Sequence, residues 1–314
     1  MTPLLSRYAA CIYWMGRYIE RAENLARILD INETYSHDSR GGQNWKSIVE
    51  LYNEMERFET YYDTYEDENV LRFYVLDSRN PSSLVSSIHT ARENARTLRP
   101  LISTEMWVHL NIFSNWTRGL REEDLSEGRL SRMCAHVREE CQAHTGITEG
   151  TFYRDESWYF YQLGRMIERA DQTTRLLDIK YHLLLPSVQD VGSPLDVSQW
   201  NALLRSVAGY HAFRRVYPSG FAVPNVVAFL LFNESFPRSV RASIGQFESQ
   251  LTELRHRYHL KGGAEALEEL DELRAVLSES KVETVLYHGL HEFLDWIQQR
   301  IISVGNRLSA DFFI

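Results

Sequence analysis

Glycine and proline are scarce, 16 and 8 among 314 residues. A β-sandwich or barrel needs turn residues every ten or so positions, so this scarcity argues against an all-β chain. No apolar run approaches the roughly 20 residues that span a bilayer. No signal peptide precedes the first amphipathic stretch. The chain therefore reads as cytoplasmic, without membrane contact. Basic residues are outnumbered, 34 Lys and Arg against 43 Asp and Glu. The resulting net charge of −9 speaks against a broad nucleic-acid surface. The cysteines number three, Cys11, Cys134 and Cys141, without the spacing of a metal site or a disulfide framework. There is no glycine-rich phosphate loop, and no Ser/His/Asp or Cys/His arrangement at a motif spacing. No cofactor is expected.

What remains is long stretches of helical periodicity, which predict an all-α fold. One helix occurs twice. Residues Tyr13 to Asp30 and Tyr161 to Asp178 both read Gly-Arg-x-x-Glu-Arg-Ala-acid-x-x-x-Arg-x-Leu-Asp, at a shift of 148 (164 − 16). At about 100° per residue, Ile12, Met15, Ile19, Ala22, Ala26 and Leu29 share an apolar face. Gly16, Glu20, Glu23, Arg27 and Asp30 form a narrow polar row beside it. The second copy places Gly164, Glu168, Asp171, Arg175 and Asp178 in the same row, with Arg17 and Arg165 on the flanks.

Charges flanked by apolar surface are costly to bury unless paired, and a glycine permits close backbone approach. The two rows are expected to face each other or to line one polar cleft. Glu20 and Glu168 would pair with the arginines of the row and its flank, Arg27, Arg175, Arg17 and Arg165; Arg21 and Arg169 are counted with the same binding or structural seam. The first reading of this seam is a structural network that fixes helix register. The second is a site in which Glu20 or Glu168 is an acid or base and the arginines bind a carboxylate or phosphate. A metal is not expected. Glu20 with Glu23, and Glu168 with Asp171, have the i, i+3 spacing of di-metal bundles, but those use Glu-x-x-His, and here arginines occupy the row.

Further repetition supports two tandem units, 1–150 and 151–314, forming one large helical, bundle-like domain. Asn225 to Val240 matches Asn69 to Leu84 at a shift of 156 (237 − 81), with Asn, Phe, Pro and Ser coinciding. Between them, helices are expected at Ser6–Ser36, Trp45–Tyr65, from Asn80 as cap with Pro81 in the first position, and at Leu130–His144. The helix from Asn80 is expected to pass Ile102, kinked at Pro100, toward Trp116. Turns are expected at His37–Asn44 and Pro186–Pro194, and a final helix at Val282–Arg307. A helix start with Arg238 and Ser239 is a candidate anion site, its plainer reading being a capped helix. Arg238 faces Ser82 in the alignment, so such a site would exist in one half only. His288, His291 and Glu292 share a helical face but lack the zinc-protease order.

Tyr13-Trp14-Met15-Gly16-Arg17-Tyr18-Ile19-Glu20-Arg21-Ala22-Glu23-Asn24 resembles the opening of the bacterial alpha-E family. The resemblance continues at Ala91 to Arg96, Glu105-Met106-Trp107, Arg154 to Trp158, Gly164 to Asp178, Pro237 to Val240 and Gly289 to Leu294. It implies a helical fold with a characteristic glutamate, matched by Glu20 and Glu168. Gln162 departs from the aromatic at Trp14. The resemblance also implies a setting, because genes of the family lie beside a circularly permuted ATP-grasp ligase and a transglutaminase-like protease. Those partners suggest formation and breakdown of peptide or isopeptide amide bonds. No catalytic residue is carried over. The function expected on this basis is a non-catalytic partner of the ligase that binds it or presents a peptide substrate; the alternative is an enzyme using the Glu/Arg seam. Homo-oligomerisation is left open by the sequence.

Overall fold

A computed structural model describes residues 4–38, 45–183, 194–218 and 220–313. Among these residues the regular structure is entirely helical. The elements are α1 (Ser6–Asp38), α2 (Lys46–Leu51), α3 (Met55–Glu59), α4 (Asp67–Leu71), α5 (Leu84–Thr97), α6 (Thr104–Arg118), α7 (Leu130–Thr151) and α8 (Glu156–Leu183). They continue with α9 (Pro194–Ser206), α10 (Tyr210–Val216), α11 (Val223–Phe232), α12 (Val240–Tyr258), α13 (Ala264–Glu279), α14 (Val282–His288) and α15 (Leu290–Phe312). A π-helical turn, Arg72–Leu76, extends α4, and a 3-10 turn, Glu122–Leu125, precedes α7.

The repeated helix is α1 in its first copy and α8 in its second, and these two form the most extensive helix pair in the molecule. Around them, α5 and α7 pack on α1, while α12 and α15 pack on α8. A continuous cluster of buried apolar side chains runs through all of these elements. The apolar face read from the sequence is there: Ile12, Met15, Ile19, Ala22, Ala26 and Leu29 are all buried.

Several boundaries differ from the sequence expectation. The helix expected over 45–65 is two short ones. The chain leaves α2 through Asn53, whose φ of 53° is left-handed, a conformation asparagine tolerates better than most residues. Asn80 does not cap a helix. Its buried carboxamide accepts from the Ser82 N–H and donates to the Phe73 carbonyl, which fixes the turn. The cap is Ser83, whose hydroxyl accepts from the Ser86 N–H, and Ser239 does the same for Ala242. α5 stops at Thr97 instead of kinking through Pro100, and α6 starts afresh with Ser103 capping the Met106 N–H. α7 runs on through Gly146 and Gly150 to Thr151. The final helix is interrupted at Gly289, whose φ of 116° suits glycine alone. Most of the expected turn at 37–44, and the loop at 186–193, lie outside the described residues.

Candidate functional site

α1 and α8 cross where each has its glycine. A Cβ on Gly164 would lie 2.0 Å from the Tyr13 carbonyl oxygen, and one on Gly16 would lie 2.6 Å from that of Tyr161. The approach is reciprocal, since Tyr13 and Tyr161 are also 148 positions apart. It brings the two charged rows into contact one helical turn further on.

There the glutamates exchange partners. Arg169 of α8 forks onto Glu20 of α1, with Nε 2.8 Å from Oε1 and Nη2 2.7 Å from Oε2. Arg21 of α1 forks onto Glu168 of α8 in the same manner, at 2.7 and 3.1 Å. Each carboxylate takes a third donor from its own helix four residues on: Asn24 Nδ2 at 3.1 Å from Glu20, and Gln172 Nε2 at 3.2 Å from Glu168. The fourth donors break the symmetry. Glu168 receives Arg17 Nε at 2.7 Å. Glu20 receives Arg238 Nη1 at 3.1 Å, brought in by the loop before α12. Arg165, the counterpart of Arg17, turns away to Glu149 at 3.3 Å.

The rest of the seam is paired too. Glu23 accepts from Arg27 at 2.5 Å and from Arg238. Asp171 accepts from Arg175 Nε at 2.8 Å, and Arg175 Nη1 donates to the Leu51 carbonyl. Asp30 meets Arg138 of α7 at 2.5 Å, and Asp178 meets His291 of α15 at 2.9 Å. The candidate anion position is thereby accounted for. The anions at Arg238 are Glu20 and Glu23, and Ser239 acts as the helix cap.

Glu20 and Glu168 are 2% and 1% exposed, and this burial governs their chemistry. Burial alone pushes both carboxyls upward, but the paired guanidiniums more than reverse it. Arg21 and Arg17 hold Glu168 at about 2, and Arg169 and Arg238 lower Glu20 as well. A carboxylate offers about four lone-pair directions, and four N–H donors reach each glutamate: two on each oxygen of Glu168, but three on Oε1 and one on Oε2 of Glu20. Both carboxylates are held ionised at neutral pH.

The two ends of the seam differ in one respect. At the Glu168 end a cavity of about 310 Å³ opens. Arg17, Arg21, Arg175, Glu168 and Asp171 line it, with Tyr52, Glu54, Tyr74 and Ser82 on the side of the first half. Trp14, Leu25 and Ile301 supply apolar wall, and Ile302, 54% exposed, stands at the rim. Ser82, the residue aligned with Arg238 at the shift of 156, is part of this lining. The seam itself was legible, but the roles of Asn24, Gln172, Tyr52 and Glu54 were not. The only sequence signal for the cavity was the Ser82/Arg238 mismatch.

The Cys134 and Cys141 thiols are buried, and burial raises them well above their ordinary value, which makes poor nucleophiles. Among the described residues, no group of three or more His, Cys, Asp or Glu is placed to hold a metal. No described helix is long and apolar enough to cross a membrane.

Comparison with known proteins fits this geometry. Curated relatives include an uncharacterized protein of Mycobacterium bovis and two of Mycobacterium tuberculosis. Each is 25% identical over 273 residues, a match covering 79% of this chain but 30% of theirs. No solved structure matches. The model of the Alpha-E family, described as "a predicted alpha-helical domain with a conserved ER motif", matches residues 4–313. The Glu-Arg dipeptides Glu20-Arg21 and Glu168-Arg169 are the pairs that interlock α1 with α8, and with nearly its whole length matched the chain belongs to the Alpha-E family.

Proposed function

We propose that the protein is a non-catalytic component of an ATP-grasp ligase system that forms peptide or isopeptide amide bonds, where it docks with the ligase and presents a peptide substrate. The observation that carries this reading is the set of donors held by Glu20 and Glu168. The residues best placed for acid–base work each hold four donors, which leaves binding as the role open to the site. The curated relatives add support. The matched stretch makes up 30% of their length, so in those chains it is covalently joined to a much larger remainder, as expected for a module that works beside another. A circularly permuted ATP-grasp ligase and a transglutaminase-like protease are the partners proposed, and an ATP-dependent partner places the complex in the cytoplasm.

Co-purification with the ligase is the direct test. A stable complex is expected, together with a fall in ligase turnover when this protein is omitted. No complex and unchanged turnover would end the reading. The enzyme alternative is favoured only by the cavity beside Glu168. It requires that carboxylate to carry a proton during turnover, and a value of about 2 opposes this. Turnover of a peptide or carboxylate substrate by the isolated protein, abolished in a folded Glu168→Gln variant, would establish the alternative instead.

A further inference from the structure

The cavity beside Glu168 is built differently from its counterpart around Glu20, and the difference identifies what it takes. At the Glu20 end, Arg238 fills the space and supplies the fourth donor. At the Glu168 end the cavity is lined by Ser82, the residue aligned with Arg238, and Arg17 supplies the fourth donor from within the seam.

Two guanidiniums therefore share one carboxylate on the cavity wall, leaving one positive charge over. Both have N–H groups to spare among the described residues. Arg17 uses Nε and Nη1, toward Glu168 and Tyr13, so its Nη2 is free. Arg21 uses Nε and Nη2, so its Nη1 is free. Arg175 and Asp171 balance each other. Glu54 also lines the cavity; its Oε1 accepts from Arg57 at 3.0 Å, and its Oε2 is buried beside the Tyr74 hydroxyl. One part of the lining thus has a surplus cation with open donors, and another has a buried carboxylate. The volume of about 310 Å³ is at the small end of ligand pockets, which run from about 300 Å³.

We infer that this cavity binds the zwitterionic backbone of a short peptide, with its free carboxylate on Arg17 and Arg21 and its ammonium toward Glu54. Guanidinium recognises carboxylate by paired N–H donors. A single negative charge matches the single surplus positive charge, whereas a phosphate dianion would be under-compensated beside Glu168, Asp171 and Glu54. The aromatic and aliphatic wall of Trp14, Leu25 and Ile301 suits an apolar side chain. The inference rests on the presenting role proposed above for its biological sense. Its test contains no ligase, so failure to bind peptide and failure to bind ligase are separate results.

The experiment is affinity selection with mass-spectrometric readout. The probes are a library of natural dipeptides, the same library as C-terminal amides, and inorganic phosphate as competitor. Free dipeptides with apolar side chains are expected to be retained. Their amides should be retained at least about tenfold less, since they lose a charge-assisted contact, and millimolar phosphate should not displace the acids. Ser82→Arg copies the arrangement at Arg238 and should abolish retention. Ile302→Trp, at the exposed rim, should reduce it. Retention of no dipeptide, equal retention of acids and amides, displacement by phosphate, or unchanged retention in a folded Ser82→Arg variant would each overturn the inference. The acid–amide comparison uses the unaltered protein, so it decides the matter even if Ser82→Arg does not fold.

Discussion

Gly164→Ala adds one carbon and two hydrogens, and it should be among the most damaging small substitutions in the molecule. The new Cβ would sit 2.0 Å from the Tyr13 carbonyl oxygen, where ordinary contact begins near 3.4 Å. The obstacle is backbone on a neighbouring helix, so no rotamer relieves it. α1 and α8 must separate by about an ångström at the crossing. One turn on, the Arg169–Glu20 and Arg21–Glu168 pairs are both at 2.7 Å, and a shift of that size takes them out of hydrogen-bond range. Overpacking costs roughly 1–3 kcal/mol, and breaking a buried pair costs about 3–5 kcal/mol. The better helix propensity of alanine returns about 1 kcal/mol. The net expectation is a loss of roughly 3–7 kcal/mol. At about 2 °C per kcal/mol for a chain of this size, Tm falls by roughly 6–14 °C in differential scanning calorimetry. Gly16→Ala, with its contact at 2.6 Å, should fall by less. Gly146→Ala and Gly245→Ala are the controls: both glycines are helical, nothing lies within 4 Å of the added carbon, and both variants should melt at or slightly above the parent. A Gly164→Ala protein that melts with these controls would refute the interlocked crossing.

Three further outcomes follow from the same geometry. Glu20→Gln leaves Arg169 without a counter-charge and Arg238 with Glu23 alone, and should cost about 3–5 kcal/mol in urea unfolding; adding Arg169→Met should recover part of this, with a coupling above about 1 kcal/mol. Stability should decline on acidification in two overlapping stages. Burial, reinforced by His109 and Arg165, holds the His144 imidazole down at about 3 against an ordinary 6.5. Its contribution is therefore complete above pH 6.5 and is lost as pH falls from there toward 3, at up to about 1.4 kcal/mol per pH unit. Glu168, also depressed, contributes fully above its ordinary 4.5 and loses that contribution between 4.5 and about 2. A His144→Phe variant should flatten the stability curve between pH 6.5 and 4.5 and leave the lower stage in place. Ser83→Ala and Ser239→Ala should each cost about 1 kcal/mol as lost caps, since each hydroxyl both caps its helix and donates, Ser83 to the Ser86 hydroxyl and Ser239 to the Asn233 carbonyl.

How far the sequence could be read depended on how local each determinant was. The spacing of Gly16, Glu20, Glu23, Arg27 and Asp30 defined the polar row because helical geometry is a property of the segment alone. The glycine at its head marked the close approach for the same reason. Choosing among caps in the 80–83 turn was harder. Asn80 and Ser83 are both good cap residues, and only the fold shows that the Asn80 carboxamide is already engaged with Phe73 and Ser82. The split of the 45–65 stretch depends on a left-handed Asn53, which no periodicity reveals. The choice of partners within the seam was least accessible. Arg21 and Arg169 lie about 100° around from the row, on a flank that meets the other helix only once the crossing angle is fixed.

The asymmetry of the seam carries the functional argument, and its origin is a single position on a distant loop. Glu20 and Glu168 have identical neighbours at i+1, and each has a carboxamide at i+4, so symmetry would give them identical fourth donors. Arg238 reaches Glu20 from outside the pair, and this leaves Arg165 free to turn to Glu149. Ser82 is too short to do the same at Glu168, so Arg17 remains in the seam and a cavity remains beside it. A purely structural network would be better served by the closed arrangement at both ends, since a lined cavity forfeits packing contacts. Keeping one end closed and the other open separates two tasks within the same repeated motif: both ends lock the helices, and the Glu168 end alone leaves the space inferred above to take a peptide.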